Sequence, residues 1–599
     1  MTAPTRLFDC IEWQIQKGCT HPVMAAKEEG RWKEYAVTEI QEIVTGLSAG
    51  LITLGFGKES HTPEGKDKIA LISKNRPEWL MLDMAVQQIG AALAPVYPTI
   101  NENELTFILQ DSMVEIIFVN DAALAEKVGS IRDRVPSLKY IYSFERTENA
   151  SFWKELLTLG NPEAVETVKE KARAIHSEDL ATIIYTSGTT GLPKGVMLSH
   201  RNILSNVMDS MPYFPPGDDL KALSFLPLNH IFERMVSYLY LFKGTGIYFA
   251  ESMDTIADNL REVRPNIFAT VPRLLEKVYE RIMQRGEALT GIQRKLFFWA
   301  HSVAEKFEIN KNKGIWYNLQ LSLANKLIFS KWREALGGQI LFIVSGGAAC
   351  QVRLIRIFTA AGLPITEGYG LTETSPVISV NHYEVKGRMF GTVGPVIRNV
   401  EVRIAEDGEI LCKGPNVMMG YYKRPDLTAE AIVDGWFKTG DIGMMMPGGF
   451  LKITDRKKEI FKTSGGKYVA PIVLENKMKE SPYIENLMIT GEGEKFVGAL
   501  IIPSFTNLKE WAARQQIAFT DNESLVRNEA VIQLMKGEVE KYNAYFNHVE
   551  QIKKFELLPR DWTVETGELT PKLSLKRQVI LEKYKDWVQR IYAGSSLAG

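Results

Sequence analysis

The 599-residue sequence is poor in cysteine, with only Cys10, Cys19, Cys350 and Cys412. None of them forms a C-x-x-C pair, and none lies near two histidines at the spacing of zinc ligands. These absences argue against a disulfide scaffold and against a structural zinc site. So few cysteines in so long a chain are typical of a reducing compartment, and we expect the protein in the cytoplasm.

Long hydrophobic runs are also missing. No stretch approaches the ~20 consecutive apolar residues that a membrane helix needs, and the longest candidate, 81–96, is interrupted by Asp83, Gln87 and Gln88. The N-terminus lacks a basic segment followed by an apolar run, so no signal peptide is expected. We therefore expect a soluble protein that is at most peripheral, at the inner face of the membrane.

Neither sign of charge is in surplus, because 71 Lys and Arg face 72 Asp and Glu, for a net charge of −1. Without a global basic field, a nucleic-acid partner is not expected. The chain also shows no fixed-period repeat and no low-complexity segment. What is present is an ordinary globular composition, in a chain too long for a single hydrophobic core.

Short apolar runs alternate with helical patterns along most of the chain. This rhythm predicts an α/β fold, with mainly parallel sheets layered with crossover helices. An amphipathic helix is predicted at 79–92. Strands are predicted at 69–72, 94–97, 116–119, 140–142, 182–185, 267–271 and 340–344.

The pattern of predicted helices and strands changes twice towards the C-terminus. From about residue 388 to 454, short runs separated by Gly, Pro and Asp predict a small β-rich subdomain. After the DRKK step at 455–458, a compact α+β module is predicted, with strands at 487–489 and 497–502 and a helix at 530–546. We predict a large N-terminal domain, 1–454, and a small C-terminal domain, 455–599. By composition alone, DRKK is also compatible with a solvated turn.

The segment 185–200, YTSGTTGLPKGVMLSH, is the most informative part of the sequence. It combines three glycines, five hydroxyl residues and Lys194 directly after a predicted strand. Glycines let successive backbone N–H groups turn towards one anion, and hydroxyls and an ammonium add further donors. The composition predicts a loop that binds phosphate. It is not a Walker A loop, because Pro193 precedes the lysine and Gly195 follows it.

Further elements follow in a fixed order: PLNHIFE at 227–233, SGGA at 345–348, EGYGLTE at 367–373, GWFKTGD at 435–441 and DR at 455–456. The SGGA turn follows an apolar run, and so lies where open α/β sheets bind ligands. Taken alone, His230 would be a packed or surface histidine, and each short motif would be weak. Together, the ordered set resembles the adenylate-forming enzymes, which include acyl-CoA synthetases, adenylation domains and luciferases.

The segments 434–462 and 567–577 resemble more narrowly the long-chain fatty acyl-CoA synthetases of bacterial type. This resemblance implies an AMP-forming ligase, with a fatty acid, ATP and coenzyme A as substrates and Mg²⁺ as cofactor. The carboxylate first attacks the α-phosphorus of ATP, which gives acyl-AMP and pyrophosphate. The CoA thiolate then displaces AMP. A rotation of the small, mobile C-terminal domain separates these two steps.

The resemblance also implies the roles of individual residues. Thr372 contacts the α-phosphate, Glu373 ligates Mg²⁺, and Asp441 and Arg456 bind the ribose. The other residues expected to bind the nucleotide or to act in catalysis are Thr186, Ser187, Gly188, Thr189, Thr190, Gly191, Lys194, His230, Gly346, Gly347, Ala348, Gly368, Tyr369 and Gly370.

The C-terminal lysine that bridges the carboxylate and the α-phosphate is assigned to Lys576. The chain departs from the family here, because Leu575 replaces the usual glycine before the lysine. Lys572 therefore stays a competitor. Lys458 falls at the hinge position within 455–458. The sequence is equally compatible with an exposed lysine that has no such role. The turn that would shape the CoA side consists of Ser464, Gly465 and Gly466.

Two other functions stay open at this point: transfer of the acyl group to a carrier protein, and a catalytically inactive binding protein on the same fold. The aromatic stretches 238–242 and 297–299 fit either an acyl tunnel or an ordinary core. Peripheral membrane association and a homodimer are left open as further interactions.

Overall fold

The structure is a computed structural model that describes residues 3–60, 62–186, 193–570 and 575–593. Within these residues, two eight-stranded and mainly parallel sheets form most of the larger part of the fold. In spatial order, the first sheet contains Val377–Val380, Ile365–Gly370, Phe342–Ser345, Ile267–Thr270, Lys221–Ser224, Gly246–Phe249, Met24–Glu28 and Arg31–Tyr35. The second contains Gly420–Tyr421, Lys194–Ser199, Leu180–Thr186, Ala92–Val96, Lys68–Ile72, Ile116–Val119, Tyr140–Ser143 and Ser151–Phe152.

The predicted α/β class is confirmed, and burial explains the pattern. Strands such as Lys68–Ile72, Ile116–Val119 and Ile267–Thr270 are buried at every residue. Parallel strands covered on both faces read as continuous apolar runs, which is how they appear in the sequence. The run predicted at 340–344 begins slightly later, as the strand Phe342–Ser345.

Helices cover both sheets. Within the described residues, none combines the length and apolar character needed to cross a bilayer. In the larger part of the chain they are Asp9–Gln16, Val37–Thr53, Pro77–Gln88, Glu102–Asp111, Ala122–Ile131, Glu155–Leu159, Pro162–Ala174, His200–Ser210, Ile231–Lys243, Ile256–Val263, Pro272–Glu287, Gly291–Glu305, Ile315–Ala324, Ser330–Ala335, Val352–Ala360 and Pro425–Ala431.

The helix predicted at 79–92 is Pro77–Gln88, and its predicted amphipathic character is wrong. It contacts strands of both large sheets and is buried on every side. Its polar residues do not face water: Asp83 accepts bonds from Arg234 Nε (2.8 Å) and from the Tyr238 hydroxyl (2.7 Å). A buried carboxylate needs such partners, because an unpaired charge in the interior is costly.

The two aromatic stretches lie in the main hydrophobic core. Residues 238–242 belong to the helix Ile231–Lys243 and are fully buried. Phe297 is buried in the helix Gly291–Glu305, and Phe298 and Trp299 pack against the same core. These positions favour the core interpretation of both stretches.

A five-stranded sheet is formed by residues 401–456, which also contribute the strand Gly420–Tyr421 to the second large sheet. Its strands are Glu401–Ile404, Glu409–Lys413, Ile432–Val433, Trp436–Met446 and Phe450–Arg456. Gly, Pro and Asp lie at its turns, which accounts for the change of composition. The strand Phe450–Arg456 extends through Asp455 and Arg456, so the first half of the DRKK step belongs to this sheet.

Residues after the DRKK step form smaller hydrophobic clusters of their own, between Phe461 and Tyr592. The strands are Phe461–Lys462, Tyr468–Val469, Ile484–Thr490, Val497–Pro503 and Ile552–Leu557, and the helices are Pro471–Met478, Phe505–Arg514, Asn522–Val526, Glu529–Asn543, Arg577–Lys583 and Lys585–Tyr592. This α+β arrangement matches the predicted class of the C-terminal part. Its main long helix, Glu529–Asn543, ends three residues before the predicted limit of 546.

Candidate active site

The predicted phosphate loop joins two antiparallel strands, Leu180–Thr186 and Lys194–Ser199. Thr186 and Lys194 lie opposite each other in the register, so the two ends of the loop meet. Ser187, Gly188, Thr189, Thr190 and Gly191 lie outside the described residues. The structure therefore places the lysine of the motif at the base of a hairpin loop.

Lys194 and Glu373 lie on either side of Tyr421. The Lys194 ammonium lies 5.3 Å from the centre of the Tyr421 ring, and the Tyr421 hydroxyl donates to Glu373 Oε1 at 3.0 Å. Tyr421 is positioned by the strand Gly420–Tyr421, which pairs with Lys194–Ser199. Burial, together with the carboxylate of Glu373, raises the pKa of Tyr421. Tyr421 was not predicted from the sequence, because an aromatic residue outside a motif gives no signal.

A short 3₁₀ helix, Thr372–Thr374, carries the predicted α-phosphate and metal residues. It follows the strand Ile365–Gly370, and Thr372 is buried. The hydroxyl of Thr374 accepts from the N–H of Leu371 at 2.9 Å and so closes the turn. Gly370 is required here, because a Cβ would lie 1.7 Å from the Pro376 carbonyl oxygen.

The groups around Glu373 show whether this carboxylate is suited to bind Mg²⁺. Within the described residues, no group of three or more His, Cys, Asp or Glu is placed to hold a metal. Mg²⁺ commonly takes one or two carboxylates and fills its other positions with waters and substrate phosphates. A single carboxylate near a predicted phosphate loop fits that preference.

A hydrogen bond between Tyr369 and Asp441 connects the first large sheet to the five-stranded sheet. The Tyr369 hydroxyl donates to Asp441 Oδ2 at 2.7 Å, and Arg456 Nε lies 3.4 Å from Asp441 Oδ1. Asp441 and Arg456 are also direct partners in neighbouring antiparallel strands. The residues predicted to bind adenine and ribose are therefore adjacent.

Burial raises the pKa of Asp441, while Arg456 and the Tyr369 hydroxyl act in the opposite direction. The Arg456 side chain is 58% exposed, so water screens its charge. The Asp441 side chain is only 7% exposed. Tyr369 is therefore the better-placed group to keep this buried carboxylate ionised and oriented.

We expect Tyr369→Phe to raise the KM for ATP by roughly tenfold with a smaller change in kcat, because a hydrogen bond to a charged group is lost. The pKa of Asp441 should rise further, since the hydroxyl lowers it. The loss of ATP affinity at acid pH should therefore begin at a higher pH than in the wild type. Steady-state kinetics across pH measure both effects.

Tyr35→Phe is the matched control, because the Tyr35 hydroxyl donates to Glu28 Oε1 at 3.1 Å on the opposite edge of the same sheet. This control should leave the KM for ATP unchanged. An unchanged KM in Tyr369→Phe would show that this hydroxyl does not orient a nucleotide-binding carboxylate.

His230 begins the helix Ile231–Lys243, where its Nδ1 accepts from the N–H of Phe232 at 3.1 Å. The Phe232 ring lies over Gly346, so closely that a Cβ there would be 3.1 Å from it. Gly347 adopts a φ of +80°, and Ala348 is exposed. The structure therefore brings the histidine motif and the SGGA turn together at the carboxyl end of Phe342–Ser345.

Two buried carboxyls in these motifs were not assigned a role by the sequence. Burial raises the pKa of Glu233 to about 8 and that of Glu367 to about 7. Glu367 Oε1 accepts from the N–H of Cys350 at 3.1 Å, just after the SGGA turn. Glu367 lies inside the motif EGYGLTE, and a charged residue within a buried strand was the available signal for it.

Lys576 precedes the helix Arg577–Lys583, and its N–H donates to the Glu568 carbonyl at 2.8 Å. The next residue, Arg577, donates to Glu459 Oε2 at 2.9 Å and to both carboxylate oxygens of Glu475. The segment that carries Lys576 is thus tied to the residue that follows the DRKK step. Lys572 lies outside the described residues.

The residue tied to the five-stranded sheet is Lys457, which precedes the predicted hinge residue Lys458. Its ammonium lies 2.6 Å from Asp407 Oδ2 and 2.7 Å from Glu409 Oε2. Its N–H donates to the Gly440 carbonyl. These contacts hold Lys457 on the five-stranded sheet, and the hinge role of Lys458 stays a prediction.

Ser464, Gly465 and Gly466 form an exposed turn in the C-terminal part. The N–H of Ser464 donates to the Glu494 carbonyl at 2.9 Å, and Gly466 adopts a φ of +72°. The bond to Glu494 lies within the C-terminal part, and the predicted role of the turn towards CoA stays a prediction.

The arrangement of the two large sheets, the β-rich sheet and the C-terminal part is the fold of the adenylate-forming enzymes. An anthranilate–CoA ligase solved with anthranoyl-AMP matches with a TM-score of 0.72 at 15% identity, over 97% of this chain and 98% of that chain. The adenylation domain of a carboxylate reductase from Mycobacterium chelonae matches with a TM-score of 0.74 at 18% identity, over 98% and 91%.

The chain belongs to the AMP-binding enzyme family. The family model for AMP-binding enzymes matches residues 11–422, and the model for the AMP-binding enzyme C-terminal domain matches residues 458–596. The long-chain-fatty-acid–CoA ligase FadD15 of Mycobacterium tuberculosis is 33% identical over 94% of this chain and 93% of its own length. Long-chain-fatty-acid–CoA ligase 1 of Homo sapiens is 31% identical over 98% and 87%.

Proposed function

We propose that the protein is a long-chain fatty acid–CoA ligase of the AMP-forming type. The observation that carries this proposal is the likeness to curated long-chain-fatty-acid–CoA ligases over nearly the whole chain. The meeting of Lys194, Glu373, Tyr369 and Asp441 in one region supports it. ATP activates the acid, and coenzyme A accepts the acyl group.

In the first step the fatty carboxylate attacks the α-phosphorus of ATP, and pyrophosphate leaves. The main obstacle is repulsion between the carboxylate and the phosphates, so the site must offer positive charge and N–H donors. Lys194 and the loop from Thr186 bind the outer phosphates, Thr372 donates to the α-phosphate, and Lys576 bridges the two reactants. Mg²⁺ held by Glu373 would neutralise charge on the leaving pyrophosphate.

The nucleoside is held by the cluster at the meeting of two sheets. The ionised Asp441 accepts hydrogen bonds from the ribose hydroxyls, Arg456 donates to the same sugar, and Tyr369 with its flanking glycines provides a face for adenine. Gly346, Gly347 and Ala348 lie at the carboxyl end of a neighbouring strand. His230 precedes the helix whose Phe232 packs against Gly346, and in the proposed mechanism it orients the acyl group.

In the second step the CoA thiolate attacks the acyl carbonyl carbon, and AMP leaves. We infer that residues 455–599 rotate between the steps about 455–458, with Lys458 as the pivot. Lys457 is anchored to the five-stranded sheet and would stay in place. The turn of Ser464, Gly465 and Gly466 then replaces Lys576 at the site and shapes the CoA side. Domain limits of 1–454 and 455–599 follow from this hinge.

Incubation with palmitate, ATP, Mg²⁺ and CoA should release AMP and pyrophosphate and yield palmitoyl-CoA in equal amounts. Nucleotides and thioester are measured by chromatography. Without CoA, palmitate-dependent exchange of pyrophosphate into ATP should persist, because adenylation is reversible. Release of ADP and phosphate would contradict the proposal, since it requires γ-phosphoryl transfer.

The same assay separates the other functions. An enzyme that serves a carrier protein would catalyse the exchange but form no thioester with free CoA. A binding protein without catalytic activity would do neither.

A further inference from the structure

One helix of the protein exposes an apolar face to solvent. The helix Ile315–Ala324 continues as the π-helical segment Asn325–Phe329. On its outer side the exposed fractions are 86% for Ile315, 78% for Trp316, 58% for Leu319, 47% for Leu323 and 38% for Leu327. The spacing of three to four residues places Ile315, Leu319, Leu323 and Leu327 on one side of the helix, with Trp316 beside them. We call these five residues the outer face.

The opposite side of the same helix is packed against the protein. Ala324 and Phe329 are buried, and the Tyr317 hydroxyl donates to the Val303 carbonyl at 3.0 Å. The helix is therefore fixed in place, and its outer face is not exposed through loose packing. A helix that is apolar on both sides normally has both sides covered, and a large exposed apolar patch marks an interaction site.

The charges of the segment that carries the outer face, 310–333, are of one sign, and the next acidic residues along the chain are Glu308 and Glu334. Residues 310–333 contain five basic residues and no Asp or Glu, although the whole chain is nearly balanced. Arg333 points inward to Asn325. The other four are exposed lysines: Lys311 and Lys313 precede the helix, and Lys326 and Lys331 follow its first ten residues. Within the described residues, none of these four lysines makes an ion pair.

We propose that the outer face docks the protein on the surface of an anionic lipid bilayer. The helix would lie in the plane of the interface, with its leucines and isoleucine among the acyl chains, Trp316 at headgroup depth, and the lysines on the lipid phosphates. Its ten residues span about 15 Å, which is too short to cross a bilayer.

A second copy of this chain fits the outer face less well. A symmetric pair through this helix would bring two sets of lysines together, with no acidic residue between 310 and 333 to compensate them. An anionic lipid surface is complementary in both hydrophobicity and charge, because it offers an apolar layer beneath a layer of negative charge.

Docking on the bilayer does not require catalysis. Its purpose, which is to bring the enzyme to a fatty acid dissolved in the membrane, rests on the proposed function. Binding to vesicles is therefore measured without ATP, CoA or fatty acid, so that a failure of docking and a failure of the proposed ligase activity can be told apart.

The test is sedimentation of the full chain with vesicles of phosphatidylcholine alone or mixed with phosphatidylglycerol. We expect binding to the mixed vesicles that weakens as salt is raised. W316S/L319S should reduce this binding at least about tenfold, because two large apolar side chains no longer enter the interface. Met253→Ser is its control, since Met253 is 57% exposed elsewhere on the protein.

The charge is tested by K311Q/K326Q/K331Q, which should weaken binding to mixed vesicles by roughly fivefold per lysine. The control K509Q/K536Q/K585Q removes the same charge from exposed positions in the C-terminal part and should change binding little. These exchanges leave the core untouched, so they carry the test even if W316S/L319S fails to fold. Pyrophosphate exchange with palmitate should be near wild type in both lysine variants.

Failure of the wild type to bind mixed vesicles would overturn the proposal. So would equal losses in the K311Q/K326Q/K331Q variant and its control, which would show that net charge alone matters. A dimer that W316S/L319S converts to monomer, without vesicle binding by the wild type, would assign the outer face to contact between copies.

Discussion

Replacing Lys576 with alanine is expected to lower acyl-AMP formation by about 10²–10³-fold, because one donor aimed at the developing charge is lost. Conversion of supplied palmitoyl-AMP and CoA to thioester should stay near wild type, since Lys576 serves only adenylation in the proposed mechanism. Pyrophosphate exchange measures the first half-reaction and thioester formation the second. The fold should be unaffected, because Arg577 and the Lys576 backbone fix this segment.

Lys572→Ala is the matched control, since it removes the same charge four positions earlier in the same segment. It should leave both half-reactions largely intact. A large loss of adenylation in Lys572→Ala, with Lys576→Ala active, would exchange the two assignments. Equal losses of both half-reactions in Lys576→Ala would contradict the division of labour by a rotating domain, because general destabilisation affects both steps alike.

Glu373→Ala should lower adenylation by about 10²–10³-fold and raise the Mg²⁺ concentration needed for half-maximal exchange, because the proposed metal carboxylate is removed. The turn that carries it is closed by Thr374 and should survive. Exchange rates are measured while Mg²⁺ is titrated, and thermal unfolding checks the fold.

Tyr421→Phe is the control for that change, because it removes only the hydroxyl that donates to Glu373 Oε1. A small shift in the Mg²⁺ requirement is expected, since the carboxylate itself remains. Near-native turnover of Glu373→Ala at limiting Mg²⁺ would show that another carboxylate holds the ion.

The local hydrophobic pattern and the chemical groups of the motifs could be recognised from the sequence alone. Buried parallel strands are continuous apolar runs, and so 69–72 and 116–119 could be placed almost to the residue. The motifs could be found because glycine, lysine, threonine and carboxylate at fixed spacing stand out from the background. The α/β class and the family followed from these two signals.

Pairing between distant elements could not be read in the same way. The helix Pro77–Gln88 looked amphipathic, because a sequence cannot show that Arg234 and Tyr238, about 150 positions later, satisfy Asp83 inside the core. Tyr421 gave no signal for the same reason: its hydroxyl matters only because a two-residue strand places it beside Glu373.

The sequence by itself determined the fold class, the family and the chemical groups available for adenylation, because these depend on residue type and local spacing. The tertiary structure alone decided which groups meet. Tyr369 and Asp441 are 72 positions apart and lie in different sheets, yet their hydroxyl and carboxylate form a hydrogen bond. The outer face at 315–327 likewise became visible only once the opposite side of its helix was seen to be packed. Burial and contact depend on the whole chain, and no local pattern contains them.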